Sequence, residues 1–208
     1  MSLNRLFPGQ EVYRSPDAAI PSLWGHLLSL PRQQALSSVA ETLGVGELSR
    51  MSMSVRSAID FGIVAPSRRR GRKDARMWTL AVLYDPSRAL LFGYPAADAV
   101  STTINLPREY LQVVSKLGNM RFDQHSGVLI WPAFIEQTAN DIRLARMDAN
   151  ETLLMPFFDH KSGDYDCWLN RDFGNAFFFD HESCTLEEYC DGGFTTWMQQ
   201  RFDDNLKS

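Results

Sequence analysis

The residues able to do chemistry gather between Asp159 and Cys190. His160 and His181 stand among Asp159, Asp164, Asp166 and Asp180, donor types that suit a metal ion. Their spacing fits no such site. Asp164-Tyr165-Asp166 is a single DxD pair, and the run from Asp159 lacks the ligand positions of a calcium loop. His181-Glu182 opens like a zinc-protease helix, but position 185 is Thr where the second histidine is required. Cys190 with either histidine has the makings of a thiol nucleophile and its base, although free cysteine more commonly serves as a small buried hydrophobe. No GxSxG elbow, phosphate-binding glycine loop or dinucleotide fingerprint occurs. The expectation is a non-enzymatic protein with no catalytic residue, no cofactor and no metal, working by presenting a surface.

Charge says where that surface lies. The net charge is −4, but residues 1–149 hold 17 Lys and Arg against 13 Asp and Glu, and residues 150–208 hold 4 against 12. The acidic end favours a basic partner and repels nucleic acid. Apolar content of 44% with 12% aromatics supports a real core. No apolar run approaches the roughly 18–20 residues that span a bilayer, and Met1 to Gln10 lacks a signal-peptide core. Cys167, Cys184 and Cys190 are odd in number without CxxC spacing, as expected of free thiols in a reducing cytoplasm.

The elements that position these residues are legible as changes of period. Trp24, Leu27 and Leu28 make a helical stripe that Pro31 stops, and a second helix runs from Arg32 to Leu43 with Gly44 as its left-handed cap. A third is predicted over Glu47 to Ile59, with Leu48, Met51, Val55 and Ile59 inward. Trp78 to Tyr84 and Ala89 to Tyr94 read as a buried strand pair about the turn Asp85-Pro86-Ser87. Arg68 to Arg76 is a self-repelling basic loop. A composition shift at Ala97–Thr103 is the best boundary between residues 1–99, a helical extension with a basic loop and a β-hairpin, and residues 100–208, unless the two form one continuous globule.

Beyond it, Leu106-Pro107 opens a helix with Tyr110, Val113, Val114 and Leu117 on its stripe and Gly118 past its end. Val128 to Trp131 reads as a strand and Pro132 to Arg146 as a helix with Phe134, Ile135, Ile142 and Leu144 inward. Short apolar runs at Leu154–Phe158, Cys167–Asn170 and Ala176–Phe179 describe a small sheet, the last two joined by a hairpin loop over Arg171–Asn175. Phe194, Trp197, Met198 and Phe202 then give the final helix an aromatic face to lay on it.

Leu106-Pro107-x-x-Tyr110-Leu111, Leu117-Gly118-Asn119, Trp131, Pro156-Phe157, Gly163-Asp164, Cys167-Trp168-Leu169-Asn170, Phe177-Phe178-Phe179-Asp180-His181 and Gly193-Phe194-Thr195-Thr196-Trp197 together resemble the SUKH superfamily. That group takes in a fungal cell-wall-assembly regulator, the bacterial Syd protein and bacterial toxin-immunity proteins. The resemblance covers about residues 100–205. It departs from the family pattern at Met120, where a glycine is usual, and at Gly193, where a serine is usual. It implies an α+β fold, a mixed or antiparallel sheet packed with helices, and a non-enzymatic protein-binding module. The expected function is that of a cytoplasmic bacterial immunity protein neutralising a cognate, basic toxin by direct binding. Its expected contact residues are the acidic group Asp164, Asp166, Asp180, Glu182, Glu187 and Glu188 with the aromatic anchors Trp168 and Phe173.

Two alternatives stand beside this reading. Residues 36–84 resemble a winged helix-turn-helix, in which Leu43-Gly44-Val45 would position a recognition helix. Arg68, Arg69, Arg70, Arg72, Lys73 and Arg76 would form a wing gripping phosphates. That helix carries only Arg50 and Arg56 as basic residues, and the chain is acidic, which argues against nucleic acid. The other alternative is a Syd-like scaffold.

Overall fold

Proline and glycine punctuate the first part of the chain as their chemistry requires. The computed structural model describes residues 2–66, 77–95, 97–123, 126–146 and 153–207. After the short α1 (Leu3–Leu6) and β1 (Val12–Tyr13), Pro21 precedes α2 (Ser22–Ser29) and Pro31 precedes α3 (Arg32–Leu43), where Gly44 adopts φ 68° as the left-handed cap. Leu36, Val39, Ala40 and Leu43 are buried, as their stripe requires. The third helix is shorter than expected: α4 spans Arg50–Arg56, because the Ser49 hydroxyl accepts from the Ser52 amide (3.1 Å) and fixes the start. Met51 and Val55 point inward, but Leu48 and Ile59 are exposed. Leu48 precedes the cap, and the Ile59 amide already donates to the Leu83 carbonyl at the entrance to a strand.

That strand, β2 (Asp60–Val64), pairs antiparallel with β3 (Thr79–Asp85), which pairs with β4 (Arg88–Gly93). The short α5 (Ala97–Val100) leads to α6 (Arg108–Lys116), whose Tyr110, Val113 and Val114 are buried, and β5 (Asn119–Arg121) then returns to pair with β4. The first sheet therefore runs β1-β2-β3-β4-β5, all antiparallel. It takes one strand from beyond the composition shift at 97–103. Its inner strands are apolar on both sides because both faces are covered. Leu80, Val82, Leu90 and Phe92 join the main core, while Ala81, Leu83, Ala89 and Leu91 pack with Leu3 and Val64 on the other face. Glycine is required where β1 crosses: a Cβ on Gly62 would lie 2.7 Å from the Tyr13 carbonyl oxygen.

β6 (Val128–Leu129) is followed by a 3-10 turn over Pro132–Phe134 and α7 (Ile135–Arg146). Phe134, expected inward, is exposed, since the helix proper starts one residue later. The Leu144 side chain lies outside the described residues. β7 (Leu154–Asp159), β8 (Tyr165–Leu169), β9 (Asp172–Asp180) and β10 (Thr185–Asp191) complete a second antiparallel sheet, ordered β10-β9-β8-β7-β6. The β8–β9 loop is two residues rather than five. Asn170 and Arg171 both take positive φ, 49° and 63°, the backbone of a tight hairpin turn, and Leu169 pairs directly with Asp172.

α8 (Gly193–Lys207) closes the fold, with Phe194, Trp197, Met198 and Phe202 buried. Trp168 stacks on Phe157 (4.1 Å between centroids), and Tyr110 meets both Trp168 and Phe194 edge-on. One apolar cluster joins these rings to Leu80, Val82 and Leu90 of the first sheet. α8 also touches that sheet directly: the Tyr84 and Phe202 rings lie 5.0 Å apart, and the Arg88 guanidinium donates to the Asn205 carbonyl.

Candidate protein-binding surface

The acidic residues expected to form one surface divide by the face of the sheet on which pairing places them. Residues directly opposite across a ladder share a face, so Asp166 (paired with Phe178) and Trp168 point toward α8, while Cys167 (paired with Phe177) points the other way. Asp166 is fully buried beneath α8. Its carboxylate accepts from Trp197 Nε1 (2.9 Å) and from the Arg201 guanidinium (2.7 Å to each oxygen), and lies 3.2 Å from His160 Nε2. The guanidinium also stacks 4.1 Å over the Tyr189 ring, whose hydroxyl donates to Asp204 at 2.7 Å. Asp166 therefore anchors the helix to the sheet and leaves the expected contact set. Trp168 leaves it too: it is fully buried among Phe157, Tyr110 and Phe194. Phe173 is half-buried with its ring edge-on to Trp168.

The two turns at one end of the sheet are clasped together. Asp164 Oδ1 accepts from the His181 amide (3.1 Å) and sits 2.7 Å from His181 Nδ1, while Ser162 donates to Oδ2 at 2.6 Å. The His181 ring packs against Gly163, at φ 101°, where a Cβ would fall 2.9 Å from the ring. The hydrogen bond from His181 holds the Asp164 carboxyl down at about 2, and Asp164 in turn raises His181. Asp180 accepts from the amides of Ser183 (3.1 Å) and Glu182 (2.8 Å), which lowers its pKa. Asp164, Asp180 and His181 place three potential metal donors within 4.8 Å of one another. Each already serves these turns as a hydrogen-bonding group. Cys190 is buried, which raises its thiol pKa, the opposite of what a nucleophile needs. No hydrogen bond joins it to either histidine among the described residues.

What remains outward is the β9–β10 hairpin. Glu182, Glu187 and Glu188 are exposed, and no Lys or Arg comes within ion-pair distance of them among the described residues. Most other described carboxylates, Glu41, Glu47 and Glu136 among them, lack such a pair too, and four have one. Asp60 pairs with Arg14 (2.7 Å), Asp166 with Arg201, Asp203 with Arg50 (3.7 Å) and Asp204 with Lys207 (3.0 Å). Strand β10 gives these glutamates fixed places: Glu187 opposes Phe178 on the α8 side, and Glu188 opposes Phe177 on the other.

The sequence barely marks Arg201 and His160 as the partners of Asp166. A trace was there: Arg201 follows Trp197 by four residues, which puts a cation on the same side of the helix as its apolar stripe. Of the residues singled out for DNA, Arg50 pairs with Asp203 and Arg56 donates to Ser37 Oγ (2.9 Å). Arg68, Arg69, Arg70, Arg72, Lys73 and Arg76 lie outside the described residues. No helix among the described residues is long and apolar enough to cross a membrane. No family model, no curated protein and no solved structure matches the chain.

Proposed function

We propose that this is a non-enzymatic protein-binding module whose acidic β9–β10 hairpin takes a basic protein partner, and that it acts in the bacterial cytoplasm as an immunity protein. The observation that carries this reading is the run Glu182, Glu187 and Glu188, all exposed on one hairpin with no Lys or Arg within ion-pair distance among the described residues. Fixed like charges on a rigid element raise the association rate with a cationic surface and reject other partners. The ordered motifs shared with the SUKH superfamily, from Leu106-Pro107 to Trp197, support the immunity role. Phe173 and Asp180 stay in the contact set at the margin of this hairpin. A basic toxin active site, as on a nuclease, is the surface it would cover.

The test is protection. The toxin encoded beside this chain's gene is induced with the wild-type protein or with Glu182→Lys/Glu187→Lys/Glu188→Lys. The wild type should rescue growth and bind the toxin in vitro. The folded triple variant should lose at least tenfold in association rate at low salt. Rescue by the variant at full strength would overturn the acidic-hairpin reading. Recovery of DNA or membrane machinery as the sole partner would favour the winged-helix or scaffold alternative.

A further inference from the structure

The hairpin offers more than charge, because β10 is also an open sheet edge. Four strands stand at the edges of the two sheets, and three are short: β1 and β6 have two residues each and β5 has three. Brevity of that kind gives a foreign strand little to pair with. β10 has seven residues, about 23 Å at the rise of an antiparallel strand. It pairs on one side only, with β9. Apart from its bonds to β9 and the Tyr189 carbonyl, which accepts from Gln200 Nε2 (3.0 Å), no hydrogen bond reaches its backbone among the described residues.

We infer that β10 is a strand-addition site that takes an extended segment of a basic protein as a sixth strand, with two adjacent basic residues set against Glu187 and Glu188. The inference rests on the acidic-hairpin reading and specifies its geometry. Adjacency follows from the pleat: Glu187 and Glu188 project from opposite faces, and only consecutive residues of the incoming strand reach both faces at that level. The same pair disfavours a second copy of this chain. Antiparallel pairing of β10 with itself, centred on the strand, would set Glu188 against Glu188, and like charges directly opposite are destabilising. Backbone bonds supply affinity and the two glutamates supply selection, the division of labour seen in strand addition generally.

The probe is a capped heptapeptide, Thr-Val-Arg-Lys-Val-Thr-Val, titrated into the intact protein by NMR. Controls carry Glu-Glu in place of Arg-Lys, or backbone N-methyl groups at alternate positions in either phase. The parent peptide should slow amide exchange within 185–191 and give inter-strand Hα contacts to β10. One N-methyl phase and the Glu-Glu peptide should each bind at least tenfold more weakly. Equal binding by both N-methylated peptides, or amide changes confined to the turns and α8, overturns strand addition. If Glu187→Lys/Glu188→Lys abolishes binding while N-methylation has no effect, the acidic surface stands and the sixth strand falls. If the peptide adds to β10 and the wild-type protein fails to protect cells from the toxin, the edge stands and the immunity reading falls.

Discussion

The two sheets have five strands each and differ in the length of their edges and in one buried polar cluster. The first is stabilised by hydrocarbon on both faces, with its edges reduced to two and three residues. The second is likewise covered by hydrocarbon on both faces, but it adds beneath α8 a buried carboxylate, a guanidinium and an indole, and its longest edge strand pairs on one side only. Edge strands of two and three residues give an incoming strand little to pair with. A seven-residue charged edge leaves more backbone unpaired, and it lies on the same sheet as the Asp166–Arg201 pair.

This contrast breaks most visibly at Asp166. Asp166→Ala orphans the Arg201 cation and the Trp197 indole together, and should lower unfolding free energy by about 3–5 kcal/mol in denaturant titration. Adding Arg201→Leu should recover much of that loss, because no uncompensated buried charge then remains. No recovery would mean the network is not the anchor. Leu80→Ala in the first sheet should cost about 2–5 kcal/mol with no such rescue, as befits an apolar cavity. Glu187→Lys/Glu188→Lys should move stability by no more than about 0.5 kcal/mol while changing partner association. A large loss would place these residues in the fold rather than at a surface.

The smallest effect is at the clasp. His181 is raised by Asp164, so its contribution is full below its unfolded value near 6.5 and is lost as pH rises through the higher folded value. Asp164 is lowered to about 2, so its contribution is present above the usual carboxylate range and is lost as pH falls toward 2. An NMR titration should find His181 above its ordinary value, returning toward it in Asp164→Asn. An unchanged titration in that variant would dissolve the clasp.

Much of the fold was legible, for physical reasons. The stripes of α2, α3, α6 and α8 are period-3.6 patterns bounded by Pro and Gly, and the β3–β4 pair is an apolar run about a turn. β10 was not legible as a strand. A bulge between Glu188 and Cys190 shifts the alternation, so Leu186 and Tyr189 do not follow a period of two. β2 was hidden by Gly62, present for the crossing of β1 rather than for a turn. At the site, the acidic hairpin was visible as charge, but Asp166 and Trp168 were not separable from it. Asp164 and Asp166 sit two apart on one strand entrance, and only the contacts of α8 decide that one faces a turn and the other a core.

The placement of α8 has a consequence for how the chain reaches this state. Arg88 meets Asn205, and Asn205 meets Tyr84, across sequence separations of 117 and 121 residues. Contacts so distant carry a loop-closure cost and slow a folding reaction. The β3–β4 and β8–β9 hairpins can zip locally, but the Tyr84 ring and one side of Trp168 lack their α8 partners, Phe202 and Phe194, until that helix docks. Docking of α8 therefore closes long loops of the chain, and until it is in place the apolar faces it covers are open to misassembly.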